Sequence, residues 1–399
     1  MKRCIPFILC VFYSFSQENI NIPFLQEDIF LKYDTLFSPI TLHEDKTPAI
    51  ITFDEQRVKN QLDSLNQLTP INLVYNQAVA NYIQVYLFKR PEQVSRLLSL
   101  GDYYFPIFEK YLDQNNLPIE LKYLPVIESS LNPHAKSPAG AVGLWQFMYP
   151  TAKEHGLRIN SYLDERKDLY KSTAAACEYF IKSQKIFNNW ELSIASYNAG
   201  RRNVTKSIRR SGGKYNFWEI RPFLPQETQN YIPAFIAAVY VMNCADFYGI
   251  KRDTGVIFKP FQVDSINVKR RINLNNLADL LDVEKEILLD LNPMYKLQLI
   301  PSLKDEKFPL VLPDYKWAQF ILNQERIYAE LVKLDSLQNV EYPIFSDIEK
   351  IKYYVKRGDY LGKIANRYKC KVKDIMLWND LTGTQIKEGQ KLYIYRIIK

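Results

Sequence analysis

Leu124-Pro-Val-Ile-Glu-Ser-Ser-Leu131 is an apolar run with a single carboxylate in it, Glu128, and Gly143-Leu-Trp-Gln-Phe-Met148 follows shortly after. Pro118 opens a helix expected over Ile119–Ser129, which Asn132-Pro133 ends. Such a run lets a helix hold an acid where water is scarce. A desolvated carboxyl keeps its proton toward neutral pH, and a general acid needs that proton to protonate a leaving oxygen. Read alone, Glu128 is equally a helix glutamate facing solvent; its neighbours decide between the two. Ser137-Pro-Ala-Gly-Ala-Val-Gly143 is rich in small residues, so its backbone can pass close to a ligand or to another segment. Gln146 then sits in an apolar frame and offers an amide for a sugar hydroxyl or acetamido group.

Working outward, the whole region reads as α-helical. Downstream, Pro150–Gly156 is a short helix with a glycine stop, and Ser172 is the expected cap of a helix Thr173–Phe187. Trp190–Tyr197 is a helix closed by Asn198-Ala-Gly200. Pro225 opens a long amphipathic helix through Phe247 that buries Ile232, Phe235, Ile236, Val239 and Tyr240. Glu154, Asp164, Glu165 and Asp168 read as surface or capping acids. Upstream, Phe53–Leu68 and Leu73–Phe88 carry apolar residues at helical spacing. Pro91 starts a helix through Leu100, and Asp102 caps a separate one over Tyr103–Leu112.

A chain of 399 residues implies two or three domains. Hydrophobic content of 47% with 24% charge is globular usage, not disorder. A net charge of +8 without a dense basic run speaks against a nucleic-acid partner and suits an anionic polymer such as a cell wall, or simple solubility. Cys177, Cys244 and Cys370 are scattered, which makes neither a disulfide framework nor a zinc pattern. His43, His134 and His155 lack metal-binding spacing, so no metal and no cofactor is expected. Met1-Lys2-Arg3, the apolar Cys4–Phe15 and the small residues Ser14 and Ser16 form an export signal over residues 1–16, cleaved before Gln17. That run is shorter than the roughly 20 residues that cross a bilayer. Leu9 is bulky for the position before a lipidated cysteine, so an anchor at Cys10 ranks second, and membrane association stays open. Residues 17–70 form an N-terminal extension.

Glu128-Ser129, Gly143-Leu-Trp-Gln146, Ser196-Tyr-Asn-Ala-Gly200 and Glu227-Thr-Gln-Asn-Tyr231, in that order, resemble the four motifs of the lytic murein transglycosylases with a soluble-transglycosylase, goose-lysozyme-like domain. The resemblance covers about residues 70–250 and implies a lysozyme-like α fold over residues 71–250. It implies cleavage of the β-1,4 bond between N-acetylmuramic acid and N-acetylglucosamine, with a 1,6-anhydromuramyl end. It also implies that Glu128 is catalytic, that Ser137 and Met148 line the site, and that Gln146, Asn198 and Tyr231 hold the sugar or its acetamido group. Glycosidases usually use two carboxylates. Beside Glu128 these motifs supply amides and hydroxyls, which suffices if the N-acetyl group of the substrate attacks its own C1. A second acid about 5 Å away would instead be the pattern of a retaining hydrolase. The rivals are a hydrolytic muramidase and a non-catalytic wall-binding scaffold.

Lys352–Tyr395 starts a new pattern: strand, two short helices, strand. It resembles a LysM module over residues 351–397, which implies binding of glycan strands of peptidoglycan by Gly358, Asp359, Tyr360, Leu361, Asn379, Leu381 and Ile386. An echo lies upstream: Ala278 and Asn292 are 14 apart, as are Ala365 and Asn379. Residues 258–315 therefore read as a degenerate LysM-like module, and residues 316–350 as a helical connector. The expected architecture is α+β and multidomain: a mainly α-helical lysozyme-like catalytic domain followed by small βααβ LysM modules, in an exported protein of the periplasm or cell envelope.

Overall fold

The computed structural model describes residues 53–254, 262–303, 306–338, 348–368, 370–379, 381 and 383–397. The segment read as an export signal, Cys4, Cys10, His43 and most of the expected N-terminal extension lie outside the described residues.

Ten helices lead the described chain: α1 (Glu55–Asn66), α2 (Gln77–Gln84), α3 (Pro91–Gln114), α4 (Leu124–Ser129), α5 (Tyr149–Glu154), α6 (Leu169–Phe187), α7 (Trp190–Ala199), α8 (Arg201–Arg210), α9 (Phe217–Ile220) and α10 (Gln226–Cys244). Their centre is α10, which packs on α2, α3, α4 and α7. Ile232, Phe235, Ile236, Val239 and Tyr240 are all buried, but so are Ala234, Ala237, Ala238 and Val241 on its other sides. A helix apolar all round belongs inside a core or a membrane. Gln226–Tyr248 is long and apolar enough to span a bilayer, yet 78% of that window is buried within this fold, so α10 is the core helix.

Three local expectations are corrected. The two helices expected over 91–112 are one, α3, with Gly101 and Pro106 inside it. The ring of Phe105 lies against Gly101, where an added Cβ would come within 2.9 Å of it, so the glycine serves packing and is no stop. Asp102 is a helix residue whose carboxylate pairs with Arg252 at 3.2 Å. The acid-bearing segment is not one α-helix either: Ile119–Tyr123 is a 3-10 turn that hands over to α4 at Leu124. Finally, α6 is capped by Asp168, whose Oδ1 accepts from Lys171 N at 2.7 Å; Ser172 lies inside the helix with its hydroxyl on the Asp168 carbonyl.

The next unit holds β1 (Val263–Val268), β2 (Ile272–Asn273), α11 (Leu274–Leu281), α12 (Lys285–Leu291), β3 (Leu299–Ile300) and β4 (Phe308–Pro313). Two helices follow, α13 (Asp314–Leu322) and α14 (Gln324–Gln338). β1 pairs antiparallel with β4, from Val263 opposite Pro313 to Val268 opposite Phe308. The segment read as a connector does more than connect. Phe320, Ile327, Tyr328 and Leu331 are buried in the same core as Leu277, Leu288 and Leu310. The final unit is β5 (Ile348–Tyr354), α15 (Leu361–Tyr368), α16 (Val372–Trp378) and β6 (Lys391–Ile397), with β5 and β6 antiparallel.

The echo noticed in sequence is a repeat of bonding. Asn292 donates from Nδ2 to Val311 O at 2.8 Å and accepts from Val311 N at 2.9 Å. Asn379 donates to Tyr393 O at 2.8 Å and accepts from Tyr393 N at 2.6 Å. Each asparagine thus ties the end of the second helix to the last strand, an arrangement that a side chain with one donor end and one acceptor end can make.

The helical unit and the first βααβ unit share structure. Leu163 forms an antiparallel bridge with Tyr295, Asp164 N donates to Met294 O at 2.9 Å, and Lys296 N donates to Tyr162 O at 2.8 Å. Tyr162 and Leu163 are buried in the second unit's core, not in the first's. His134 reaches Asp290 at 2.9 Å, and Arg158 reaches Glu306 at 2.8 Å.

Candidate active site

Glu128 lies on the last turn of α4, the one partly exposed residue between Leu124 and Ser129. Pro125 stands in the first turn, where its missing N–H is not needed. Ser130 and Leu131 then take positive φ of 53° and 59°, so the chain reverses directly after the acid. Ser129 fixes the turn from inside: its buried hydroxyl contacts Pro125 O at 3.0 Å and Leu144 O at 2.9 Å. Helix and loop are thereby joined across the two motifs singled out first.

The loop from Ser137 to Met148 is held from beneath by the acidic segment. Asp164 and Glu165 are buried, against expectation. Asp164 makes a two-pronged pair with Arg166, at 2.8 and 2.6 Å. Arg166 Nη1 in turn donates to Gly140 O at 3.1 Å and Phe147 O at 3.3 Å, closing both ends of the loop. Glu165 binds Arg158 and Lys171, and together these cations keep its carboxyl below the usual range despite its burial. These acids are buried because each meets a cation. A sequence pattern of charges shows no such pairing, so the segment read as surface. Gly143 is the tightest point: its φ is +86°, and a Cβ there would lie 2.0 Å from the carbonyl oxygen of Arg166.

Gln146 follows with φ of 46°. Its amide nitrogen donates to Gly143 O at 2.9 Å and Ala135 O at 3.2 Å. Two carbonyl partners orient the amide nitrogen inward and leave the carbonyl end for a ligand. Ser137 accepts from Ala141 N at 3.0 Å, bracing the same loop. Met148 is 41% exposed at the foot of α5. Trp145 is fully buried, with its indole N–H on Thr173 Oγ1 at 3.0 Å.

Opposite Glu128 stands α10. Tyr231, fully buried, donates its hydroxyl to Glu128 Oε1 at 2.6 Å. Burial pushes the Glu128 carboxyl up to about 7; the Tyr231 hydrogen bond opposes that push, and the charge of Glu227 adds to it. Glu227, one turn before Tyr231 on α10, is therefore within electrostatic reach of the acid. This corrects the expectation that only amides and hydroxyls surround Glu128. Asn198 ties Glu227 down: its Nδ2 donates to Glu227 Oε1 at 3.2 Å, and its Oδ1 accepts from Thr228 Oγ1 at 2.7 Å. Tyr197 completes the wall, stacked on Phe180 and donating to Trp145 O at 2.7 Å. Tyr231 is thus bonded to Glu128, Asn198 is bonded to Glu227 and Thr228 of the same helix α10, and Gln146 is bonded within its own loop. Glu227, Tyr197 and Arg166 are the members that sequence reasoning passed over. The first two sat inside quoted motifs, beside the residues that drew attention. Among the described residues no group of three or more His, Cys, Asp or Glu is placed to hold a metal ion.

In the last unit Asp359 accepts from Lys356 N at 2.9 Å and from the Tyr353 hydroxyl, Leu361 is buried, and Asn379 is the tie described above. These three side chains are turned to the fold. Gly358 and Tyr360 are exposed, the latter by 64%, with Leu381 and Ile386 half-buried beside them.

Residues 105–219 match the family described as Transglycosylase SLT domain, residues 262–329 match the Lytic transglycosylase MltD LysM-like domain, and residues 353–394 match the LysM domain. The chain is 30% identical over 286 residues to membrane-bound lytic murein transglycosylase D of Escherichia coli strain K12, and equally to that of strain CFT073. The match covers 70% of this chain and 61% of each relative, so the chain spans under two thirds of their length. Among solved structures it is similar to the 70 kDa soluble lytic transglycosylase SLT70 of Escherichia coli, at 23% identity and a TM-score of 0.33, over 50% of this chain and 32% of that one. The helical unit thus matches the transglycosylase SLT domain, and matches to a LysM-like domain and a LysM domain follow it in order.

Proposed function

We propose that this protein is a lytic transglycosylase that cleaves the β-1,4 bond between N-acetylmuramic acid and N-acetylglucosamine in peptidoglycan and leaves a 1,6-anhydromuramyl end. One observation carries the reading: a carboxyl pushed up to about 7 by burial, with a tyrosine hydroxyl at 2.6 Å. Protonated, Glu128 gives its proton to the leaving oxygen as the C1–O bond breaks. The acetamido oxygen of the muramyl residue closes on C1 and carries the charge as an oxazolinium. Glu128, now a carboxylate held by the Tyr231 hydroxyl, takes the proton of the C6 hydroxyl. The C6 oxygen then displaces the acetamide from C1. Proton count returns to its start and no water is consumed. A pKa near neutrality serves both halves, because the same group must give and then take a proton.

In this reading Gln146 and Asn198 orient the acetamido group and sugar hydroxyls, and Ser137 and Met148 line the cleft. Peptidoglycan strands are the partner, and Gly358, Tyr360, Leu381 and Ile386 present the LysM surface to them. Asp359, Leu361 and Asn379 shape that surface from behind. The protein acts in the cell envelope, exported by its first 16 residues.

Hydrolysis is the second reading, and Glu227 is the observation that favours it, since a second carboxylate near the acid is what a water-activating base would be. Digestion of purified murein with mass analysis of the products decides. The anhydro product is lighter than the hydrolytic one by one water. Glu128→Gln is expected to lose turnover while still binding wall. Glu227→Gln is expected to keep the anhydro product. Reducing-end products from the wild type, lost in Glu227→Gln, would establish the muramidase instead.

A further inference from the structure

A cleft of about 380 Å³ is lined by Tyr162 of the helical unit, by Arg270, Arg271, Pro301 and Ser302 of the LysM-like unit, and by Tyr328, Val332 and Asp335 of α14. Three segments distant in sequence build it, and both guanidiniums are positioned by their surroundings. Arg271 Nε lies 3.5 Å from Asp335, whose carboxylate is nearly buried and also accepts from Asn276 Nδ2 at 3.3 Å. Arg270 lies over the ring of Tyr328, 4.8 Å from its centre, and pairs with Glu325. That last pair joins two exposed side chains and costs little to open. At the offset that joins Ala278 to Ala365, Arg271 stands where the last module has Gly358, with φ of +81° and no side chain. At that offset Arg270 matches Arg357, so the second guanidinium is what distinguishes the turn of the LysM-like unit, and α14 stands beside it.

We propose that this cleft binds a carboxylate-bearing oligopeptide, the peptide stem of the murein strand. Two guanidiniums present planar donor forks matched to carboxylates. Tyr162 and Tyr328 line the same cleft, and Asp335, paired with Arg271 and bonded to Asn276, holds that guanidinium at the wall. A neutral sugar chain uses neither guanidinium. The choice of murein as the source rests on the proposed activity; the chemistry of the cleft does not.

The test uses the full chain carrying Glu128→Gln, so that nothing is cut, and titrates it calorimetrically with a synthetic murein stem tetrapeptide and with peptide-free chitotetraose. The tetrapeptide is expected to bind, more weakly as salt rises, and to lose about tenfold in affinity in Arg270→Ala and in Arg271→Ala. Arg271→Lys, which keeps the charge but not the fork, is expected to fall between. Chitotetraose binding is expected to be the same in all variants. Tetrapeptide affinity unmoved by either alanine, absence of tetrapeptide binding, or chitotetraose binding that disappears with the arginines would each overturn the assignment. Because the readout is binding without turnover, failure here leaves the transglycosylase reading untouched, and failure of that reading leaves this measurement interpretable.

Discussion

At the scale of one residue, Glu128 is defined by opposing effects on a single proton. Burial and the charge of Glu227 raise its carboxyl to about 7, and the Tyr231 hydroxyl works against them. Activity of the free enzyme is expected to fall as pH rises through about 7, where Glu128 loses the proton it must donate. Tyr231→Phe removes the opposing hydrogen bond, so this alkaline limb is expected to move to higher pH. The rate at its optimum is expected to drop about ten- to a hundredfold, the worth of one hydrogen bond to a charged group. A pH–rate profile of that variant reads both effects, and an unmoved limb would show that Glu128 is not the titrating group. The same shift bears on stability. Between the unfolded carboxyl value of 4.5 and about 7, the unfolded chain has lost the proton and the folded chain has kept it. Stability contributed by this site is therefore greatest below 4.5, falls across that window, and is level above it. Glu128→Gln does not titrate, so its melting temperature is expected to gain on that of the wild type from the lower to the upper end of the window.

At the scale of elements, the proposed catalytic constellation is a junction of α4, the Ser137–Met148 loop and α10, and the loop depends on Arg166. Gly143→Ala places a methyl 2.0 Å from the Arg166 carbonyl in a backbone conformation that resists any side chain. Nothing flexible stands in that spot, so the loop must move. A loss of more than about 2 kcal/mol is expected by denaturant titration, together with loss of activity. Arg166→Lys keeps the charge opposite Asp164 but loses the reach to Gly140 and Phe147. It is expected to fold, with a lower kcat from a loosened loop. The apolar periodicity of these elements was readable, because burial of Ile232 or Phe235 follows from spacing alone. Glu128 was readable too, as the one acid in an apolar run. Asp164, Glu165 and Arg166 were not, since a charge is buried only where a partner waits, and the segment is fixed from far along the chain, where the Met294 carbonyl accepts from the Asp164 amide. The continuity of α3 through Gly101 escaped for the same kind of reason: the Phe105 ring that covers the glycine is a fact of packing.

At the scale of the whole molecule, the two βααβ units share a bonding pattern and differ in how they are attached. The LysM-like unit is built into the helical one. Tyr162 and Leu163 lie in its core, Asp164 is bonded to Met294, and Asp290 holds His134 just beyond α4. Its removal would strip apolar side chains of cover and release the segment that anchors Arg166. Truncation after Thr254 is therefore expected to give a chain with a lower melting temperature and little activity even on small soluble muropeptides. The last unit has its own core of Tyr353, Leu361, Ile364, Ile375, Leu392 and Ile394. Truncation after Gln338 leaves the active-site loop and its supports in place. That shorter chain is expected to cut soluble muropeptides at the rate of the full chain and to bind insoluble wall more weakly, because a tethered module raises local substrate concentration without taking part in chemistry. Comparing both truncations on both substrates separates a brace from a tether. Equal losses on soluble substrate would show that the last unit, too, supports the catalytic fold.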